Sequence, residues 1–353
     1  MNKKKTAKPQ PKKVAAIQKP ERDYYLIFLC IIIALVSGIR YRLISLPFER
    51  DEGEYAYIGS LFLHGVAPFK DAYSMKLPGT SLMYAILMFI FGQSNTGVHL
   101  GMLFVNAATM YFLYTAFKKT FNPFIGLVTS TVYGFMAIGF VFDGFSAHAT
   151  HFICFYSAIA LLFLVRFMKS GKMLESFLFG LMLGMAFLMK QQAIFLILFG
   201  GLFLLFYLKT EKKQSILEIV KNILPFSLGV IIPYIIVLLI IVFTGQFPMF
   251  WLWTVKYASQ YEAVKGMDLI SIYFKTSFVP AWDVYNYFWL LALAGLLVLY
   301  RCPYTRLQKI FALGYFIASA CVVSSGFYFR QHYFIVILPA IGLMSGIFID
   351  FLI

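Results

Sequence analysis

The chain has 353 residues, of which 61% are hydrophobic and 19% aromatic, while only 13% are Asp, Glu, Lys or Arg. Soluble domains carry about 25% charged residues, so this composition cannot clothe a water-facing surface and excludes an ordinary soluble domain. The formal net charge of +15 is not a nucleic-acid signature, because no aromatic residues interleave with the N-terminal lysines and an apolar segment follows at once.

Residues 1–23 contain Lys, Pro and Gln but almost nothing apolar. They read as a disordered basic tail, cytoplasmic by the positive-inside rule and able to touch anionic lipid headgroups. No small-x-small cleavage site follows, so the first apolar stretch is expected to remain as an uncleaved span. Residues 24–353 then form one polytopic domain, an all-α integral membrane protein. Spans are predicted at 24–45, 98–117, 122–141, 150–168, 173–189, 192–208, 222–243, 284–300, 308–324 and 333–352. That makes ten crossings, each close to the length hydrocarbon requires. Segment 79–92 is apolar but short and Gly-flanked, and reads as an interfacial or re-entrant helix. Counting it as a span would send the basic loops at Lys118 and Lys119, Arg166 to Lys172, Lys209 to Lys213 and Arg301 to Lys309 to the outside, against the positive-inside rule. Cys30, Cys154, Cys302 and Cys321 show no metal-ligand spacing.

Two long segments, 46–97 and about 244–283, are then expected outside, with short outer turns at Asp143 to His151, Lys190 to Gln192 and Ser325 to Tyr333. The first carries the run Glu49-Arg50-Asp51-Glu52-Gly53-Glu54-Tyr55. A carboxylate this close to a bilayer is costly to desolvate and can serve as a general base. The same run reads as a capping box, Asp51-x-x-Glu54, opening a helix over about 52–64. Further on, Lys76-Leu77-Pro78-Gly79 places a lysine at the mouth of a short helix, where it can hold a phosphate or simply snorkel. Lys190 stands between two spans, where a turn is normally uncharged. Arg40 and Arg42 end the first span against the usual bias, and the sequence offers only a possible phosphate contact as their reason. His148 and His151 are three apart at the start of a span, too few to specify zinc and more in keeping with structural or substrate contacts. Trp251, Trp253, Tyr257 and Tyr261 read as an interfacial belt or a sugar-stacking platform.

An outer Asp-Glu followed by Tyr-Ala (Asp51, Glu52, Tyr55, Ala56), then Lys-x-Pro-Gly (Lys76 to Gly79), resembles the GT-C membrane glycosyltransferases, nearest to glycosyltransferase family 39 with its protein O-mannosyltransferases and aminoarabinose transferases. Further matches are Gly180-x-x-x-Gly184-x-x-Phe187-x-x-Lys190-Gln191, the Phe250 to Thr254 segment, and Arg330-Gln331-His332-Tyr333-Phe334 leading to Leu338-Pro339. The resemblance implies a GT-C-type helical bundle with interfacial juxtamembrane helices in the first outer loop. It implies an inverting transferase of the plasma (inner) membrane, moving a sugar from a polyprenyl-phosphate donor to a lipid, glycan or protein acceptor on the outer face. Asp51 would be the catalytic acid residue acting as base, with Glu52 completing the pair, and Lys76, Lys190 and Arg330 would hold the donor phosphate. Glu54, Tyr55, His148, His151, Trp253, Tyr257, His332 and Tyr333 would line the substrate site. Where many relatives carry a second acid, this chain has Ser146 to His151, with Asp143 nearby; Leu77 replaces a proline. No cofactor is expected; the outer carboxylates could bind a divalent ion, but the sequence shows no dedicated metal cage. The competing class is a transporter or flippase of a lipid-linked sugar, which should show repeated halves and midplane charges, neither of which is evident.

Overall fold

The computed structural model describes residues 23–262 and 266–353. The basic tail, apart from Asp23, lies outside the described residues, as do Lys265 and the side chains of Tyr261 and Glu262. The described chain is all-helical, running α1 (Tyr24–Arg42), α2 (Arg50–Leu63), α3 (Gly79–Phe91), α4 (Asn95–Thr120), α5 (Pro123–Met136), α6 (Ala149–Ser170), α7 (Met173–Met189) and α8 (Ile194–Phe206). It continues through α9 (Ile216–Phe243), the short α10 (Phe247–Trp251) and α11 (Ala258–Glu262), α12 (Met267–Val298), α13 (Arg306–Ser324) and α14 (Leu338–Leu352). The core lies between α4, α5, α6 and α14, with α7 clamped between α6 and α9. Leu224, Leu228, Ile231, Ile235 and Leu239 of α9 stay exposed and form a lipid-facing side.

Side-chain contacts define the two ends of the bundle. At one end Asp23 accepts hydrogen bonds from Tyr114 and pairs with Lys118, while Tyr304 and Asn122 both donate to Asp350 at 2.5 and 2.9 Å. Tyr207 donates to the Met168 carbonyl at the same level. The expected basic loops therefore share one end, as the alternation of spans requires. Both ends of α3 face the opposite end. Thr80 donates to the Met189 carbonyl where α7 finishes, and the Phe91–Gly92 backbone abuts the first turn of α4. Segment 79–92 thus does not cross.

Among the described residues, eight helices are long and apolar enough to cross a membrane. The expected crossings at 122–141 and 173–189 fall on α5 and α7, of 14 and 17 residues, or about 21 and 26 Å. Ten full spans are therefore not found by length, although α5 and α7 run between the same two ends. Above α5 the chain leaves the helix for a 3-10 turn, Phe140–Phe142, ending at Asp143 with φ +49°. Such irregular backbone at membrane depth survives only when buried in protein with its carbonyls satisfied. Arg40 does this by donating to the carbonyls of Ala137 (3.1 Å), Gly144 (2.7 Å) and Phe145 (3.3 Å). That explains an arginine that the sequence left without a firm role.

Two other expectations are corrected. The capping box lies two residues earlier than Asp51-x-x-Glu54. Glu49 accepts the Asp51 N–H at 2.7 Å and Glu52 accepts the Glu49 N–H at 3.0 Å, so α2 starts at Arg50. The second outer segment is not loop throughout, because residues 267–283 are helical and open α12. This 32-residue helix is about 48 Å long and projects beyond the hydrocarbon; it tolerates Pro280 and breaks geometry at Tyr285.

Candidate active site

Five segments meet at the end opposite the basic loops: the start of α2, the loop before α3, the turn before α6, the α7–α8 junction and residues 325–333. Each is placed by an identifiable contact. Because Glu49 and Glu52 perform the capping, the carboxylate of Asp51 is left at the helix mouth, where helix-end charge and N–H groups favour an anion. Pro78 stops the preceding loop, and a Cβ on Gly79 would lie 2.4 Å from the Leu188 carbonyl oxygen. Only glycine permits that approach. With the Thr80 bond and a Gln191 amide donating to the Met75 carbonyl at 3.3 Å, it draws Lys76 and Lys190 to one side of the site. The Gln192 amide reaches the Ser325 carbonyl at 3.4 Å and ties in the fifth segment.

Lys76 Nζ lies 3.4 Å from Asp51 Oδ2 and 3.0 Å from Glu54 Oε2, above the ring of buried Tyr55 at 4.4 Å. Ser74 donates to Glu54 at 2.7 Å and fixes it against the lysine. Lys190 Nζ stands 3.8 Å from the Tyr333 ring centroid and 3.5 Å from His332 Nε2. His332 stacks on His148, with centroids 4.1 Å apart and planes 15° apart. Asp51, His148 and His332 each bring a potential metal-ligand atom within 4.8 Å of the others.

Glu52 is fully buried. Its Oε1 accepts from the Ala147 N–H at 2.6 Å and from His99 at 2.9 Å, tying the turn before His148 to α2. Tyr84 reinforces the tie by donating to the Ala147 carbonyl at 3.0 Å. His99 and Tyr84 were missed in the sequence, where each reads as one more residue of an apolar helix. The only available signal was a histidine near the start of a span.

Burial pushes the Asp51 carboxyl upward, but Lys76, His148 and Lys190 outweigh it and hold it below the ordinary range. Burial acts likewise on Glu52, where the bonds from His99 and Ala147 prevail and the group is again lowered. For Lys76, burial lowers the value, while Tyr55, Asp51 and Glu54 raise it further and leave a firmly charged ammonium. Burial depresses His148 to about 4, only partly opposed by Asp51 and Glu52, so its ring is neutral at ordinary pH. The cluster is an ionised carboxylate beside one firmly charged lysine, with Lys190 close by and neutral imidazole adjoining.

The remaining expected residues lie around this centre. His151 is buried and donates through Nε2 to the Gly144 carbonyl at 2.9 Å, away from the His148–His332 pair. Arg330 is exposed at the rim, its guanidinium 5.5 Å from the Tyr328 ring centroid. Trp253 stacks on Tyr73 at 4.7 Å and meets Tyr257 edge-on at 5.4 Å, forming an aromatic wall. Asp143 has Glu49 as its charged neighbour, and burial first, then that charge, raises its carboxyl.

Residues 75–243 match the family described as dolichyl-phosphate-mannose-protein mannosyltransferase. No curated protein sequence matches the chain. The structure is similar to ArnT from Cupriavidus metallidurans bound to undecaprenyl phosphate, with TM-score 0.63 at 15% identity, covering 93% of this chain and 60% of that one. It also resembles the Archaeoglobus fulgidus oligosaccharyltransferase tethered to an acceptor peptide, with TM-score 0.60 at 12% identity, covering 92% and 49%. The same enzyme with an inhibitory peptide and a dolichol-phosphate gives TM-score 0.57 at 12% identity, covering 92% and 50%. The chain thus spans between about half and 60% of the length of these proteins. The family model covers just under half of the chain, and over nearly its whole described length the fold of this multi-pass membrane protein is similar to the folds of ArnT and the oligosaccharyltransferase.

Proposed function

We propose that the chain transfers a sugar from a polyprenyl-phosphate donor to an acceptor hydroxyl at the outer face of the plasma membrane, with inversion and with Asp51 as the base. One observation carries this reading. Asp51 neither caps α2 nor is sealed in the interior, and it faces Lys76 with Lys190 and His148 nearby, whereas Glu54, the other such carboxylate of the run, is already held by Ser74 and Lys76. A leaving phosphate needs cations beside it and a base across from it.

In this scheme Lys76 and Lys190 hold the phosphate oxygens and Arg330 meets the headgroup at the rim. The acceptor oxygen attacks the anomeric carbon as the carbon–oxygen bond to phosphate breaks. The leaving phosphate takes that electron pair, and the acceptor proton goes to Asp51. Without donor, Lys76 holds Asp51 ionised and makes it a weak base. Donor phosphate competes for the same ammonium, so binding the substrate raises the basicity of Asp51. Glu52 has a positioning role, since its oxygens already serve Ala147, His99 and Glu49. Glu54 keeps Lys76 in place when phosphate arrives. The gathering of basic loops at the other end supports a cytoplasmic N-terminus and an outer site. ArnT was captured with undecaprenyl phosphate and the oligosaccharyltransferase with dolichol-phosphate, which supports a lipid phosphate as donor.

The test is transfer by the purified protein in lipid nanodiscs, supplied with several polyprenyl-phosphate sugars. One donor should turn over, and Asp51→Asn should abolish transfer without altering expression or thermal unfolding. Near wild-type turnover by Asp51→Asn would overturn the assignment of the base.

A further inference from the structure

The geometry points to Arg50 as an acceptor-selecting residue, which favours acceptors carrying a phosphate or carboxylate beside the attacked hydroxyl. The inference rests on the proposed transfer site, because it takes Asp51 as the base.

The first ground is how the two oxygens of Asp51 are held. Oδ2 lies 3.4 Å from the Lys76 ammonium, and Oδ1 lies 3.4 Å from a terminal nitrogen of the Arg50 guanidinium. Lys76 belongs to the donor side, where the lipid phosphate competes for it. Oδ1 is then the oxygen left to take a proton, and any group approaching it meets Arg50. The two cations differ in how firmly they are kept. The Lys76 side chain is 18% exposed and also pairs with Glu54. The Arg50 side chain is 82% exposed, and Asp51 is its one ion-pair partner among the described residues. Exposed pairs of this kind contribute little. A phosphate or carboxylate offers the planar guanidinium two parallel hydrogen bonds in place of one long contact. An anionic acceptor therefore draws Arg50 from Asp51 at small cost, and a neutral acceptor leaves it there.

The second ground is the company Arg50 keeps. At the end opposite the basic loops cations are ordinarily few. Yet Lys256 and Lys275 are exposed there and form no ion pair among the described residues, and Arg330 is exposed beside them. Contacts tie these segments to the rim of the site. The bond from Ser74 to Glu54 brings Tyr73 beside the first turn of α2, and Tyr73 carries Trp253, in the same helical turn as Lys256. Tyr273 meets Tyr328 at 5.7 Å, which sets the α12 segment with Lys275 beside the one with Arg330. Cations kept around the mouth of a site raise the local concentration of a ligand that brings negative charge.

Both substrates then act on one carboxylate. Donor phosphate takes Lys76 from Oδ2 and the acceptor anion takes Arg50 from Oδ1, so Asp51 reaches its full basicity only with both bound. The acceptor hydroxyl gives its proton to Oδ1 as its oxygen bonds the anomeric carbon. The bond from that carbon to the phosphate oxygen breaks, and its electron pair goes to the phosphate. Water that enters before the acceptor meets a base still held by Arg50, which limits hydrolysis of the donor.

The experiment uses the full chain in phosphatidylcholine nanodiscs, with undecaprenyl phosphate present to occupy Lys76 and Lys190. Calorimetry measures the binding of octyl glucoside, its phosphate monoester and octyl glucuronide. An anionic probe should bind wild type at least about tenfold more tightly than the neutral one. Arg50→Gln should remove most of that difference, and Arg50→Lys should keep part of it, both with wild-type thermal unfolding because the side chain points outward. A preference for only one of the two anionic probes supports the inference and names the charge. Equal binding of charged and neutral probes by wild type overturns it, as does a preference that Arg50→Gln leaves intact. Donor hydrolysis without acceptor is the second readout. Arg50 adds to Lys76, His148 and Lys190 in holding Asp51 below its ordinary range. Arg50→Gln should therefore release sugar severalfold faster at neutral pH, with the acid limb of the pH–rate profile moved upward; an unchanged rate and limb also overturn the inference. Wild-type transfer by Asp51→Asn would remove the base yet leave an Arg50-dependent anion preference measurable. Absence of that preference leaves Asp51 standing as the base.

Discussion

Replacing Glu52 separates a positioning carboxylate from a catalytic one. Glu52→Ala strands two buried donors, the Ala147 N–H and the His99 ring N–H, and removes the arm that accepts the Glu49 N–H. Each stranded donor costs about 1–3 kcal/mol and the lost cap about 1 kcal/mol, so a loss of about 3–7 kcal/mol is expected. Glu52→Gln keeps a carbonyl oxygen for Ala147 and His99 but turns an N–H toward the Glu49 N–H. Its cost should be smaller, about 2–3 kcal/mol. The folded Glu52 carboxyl is held below its ordinary value. The stability it supplies is therefore present above that ordinary value and lost as pH falls through the folded one. The gap in unfolding temperature between wild type and Glu52→Gln should narrow on acidification. Transfer should fall in proportion to the loosening of the turn before His148 and recover partly at lower temperature. A Glu52→Gln protein with wild-type unfolding and transfer as dead as Asp51→Asn would refute the positioning argument and make Glu52 a direct participant.

Lys76→Met should raise the pH at which transfer fails on the acid side, because Lys76 is the leading charge holding Asp51 below its ordinary value; an unchanged acid limb in a pH–rate profile contradicts the pairing. Lys190→Ala should raise the KM for the lipid-phosphate donor tenfold or more, taking about 1.4 kcal/mol from a charge-assisted contact, with little change in unfolding. Gly180→Val should destabilise strongly, since even a Cβ there would sit 2.0 Å from the Phe226 carbonyl oxygen of α9. Overpacking of this kind costs about 1–3 kcal/mol, and an unfolding temperature equal to wild type would mean that α7 and α9 are not so close. Arg40→Leu leaves the carbonyls of Ala137, Gly144 and Phe145 without their donor. It should make residues 137–148 exchange amide hydrogens faster while α4 and α6 stay protected.

The membrane class and the grouping of the basic loops were legible from composition and charge alone, because hydrocarbon imposes the same length and polarity on every helix whatever its neighbours. The demotion of segment 79–92 was legible for the same reason: one misplaced crossing would have inverted every later loop. Asp51 and Lys76 stood out because ionised groups are costly beside lipid. The register of the α2 cap was not legible, since Glu49-x-x-Glu52 and Asp51-x-x-Glu54 offer overlapping signals and only the backbone geometry chooses. Nor was the length of α12, whose first half is too polar to read as a span yet continues as helix. Most of what distinguishes the site was decided by tertiary structure. The stacking of His148 on His332, the tie from Glu52 through His99 and Ala147, and the role of Arg40 join residues from distant helices. No periodicity or spacing along the chain encodes such meetings. They follow from which helix faces pack together, and glycines such as Gly79 and Gly180 set how closely the backbones approach.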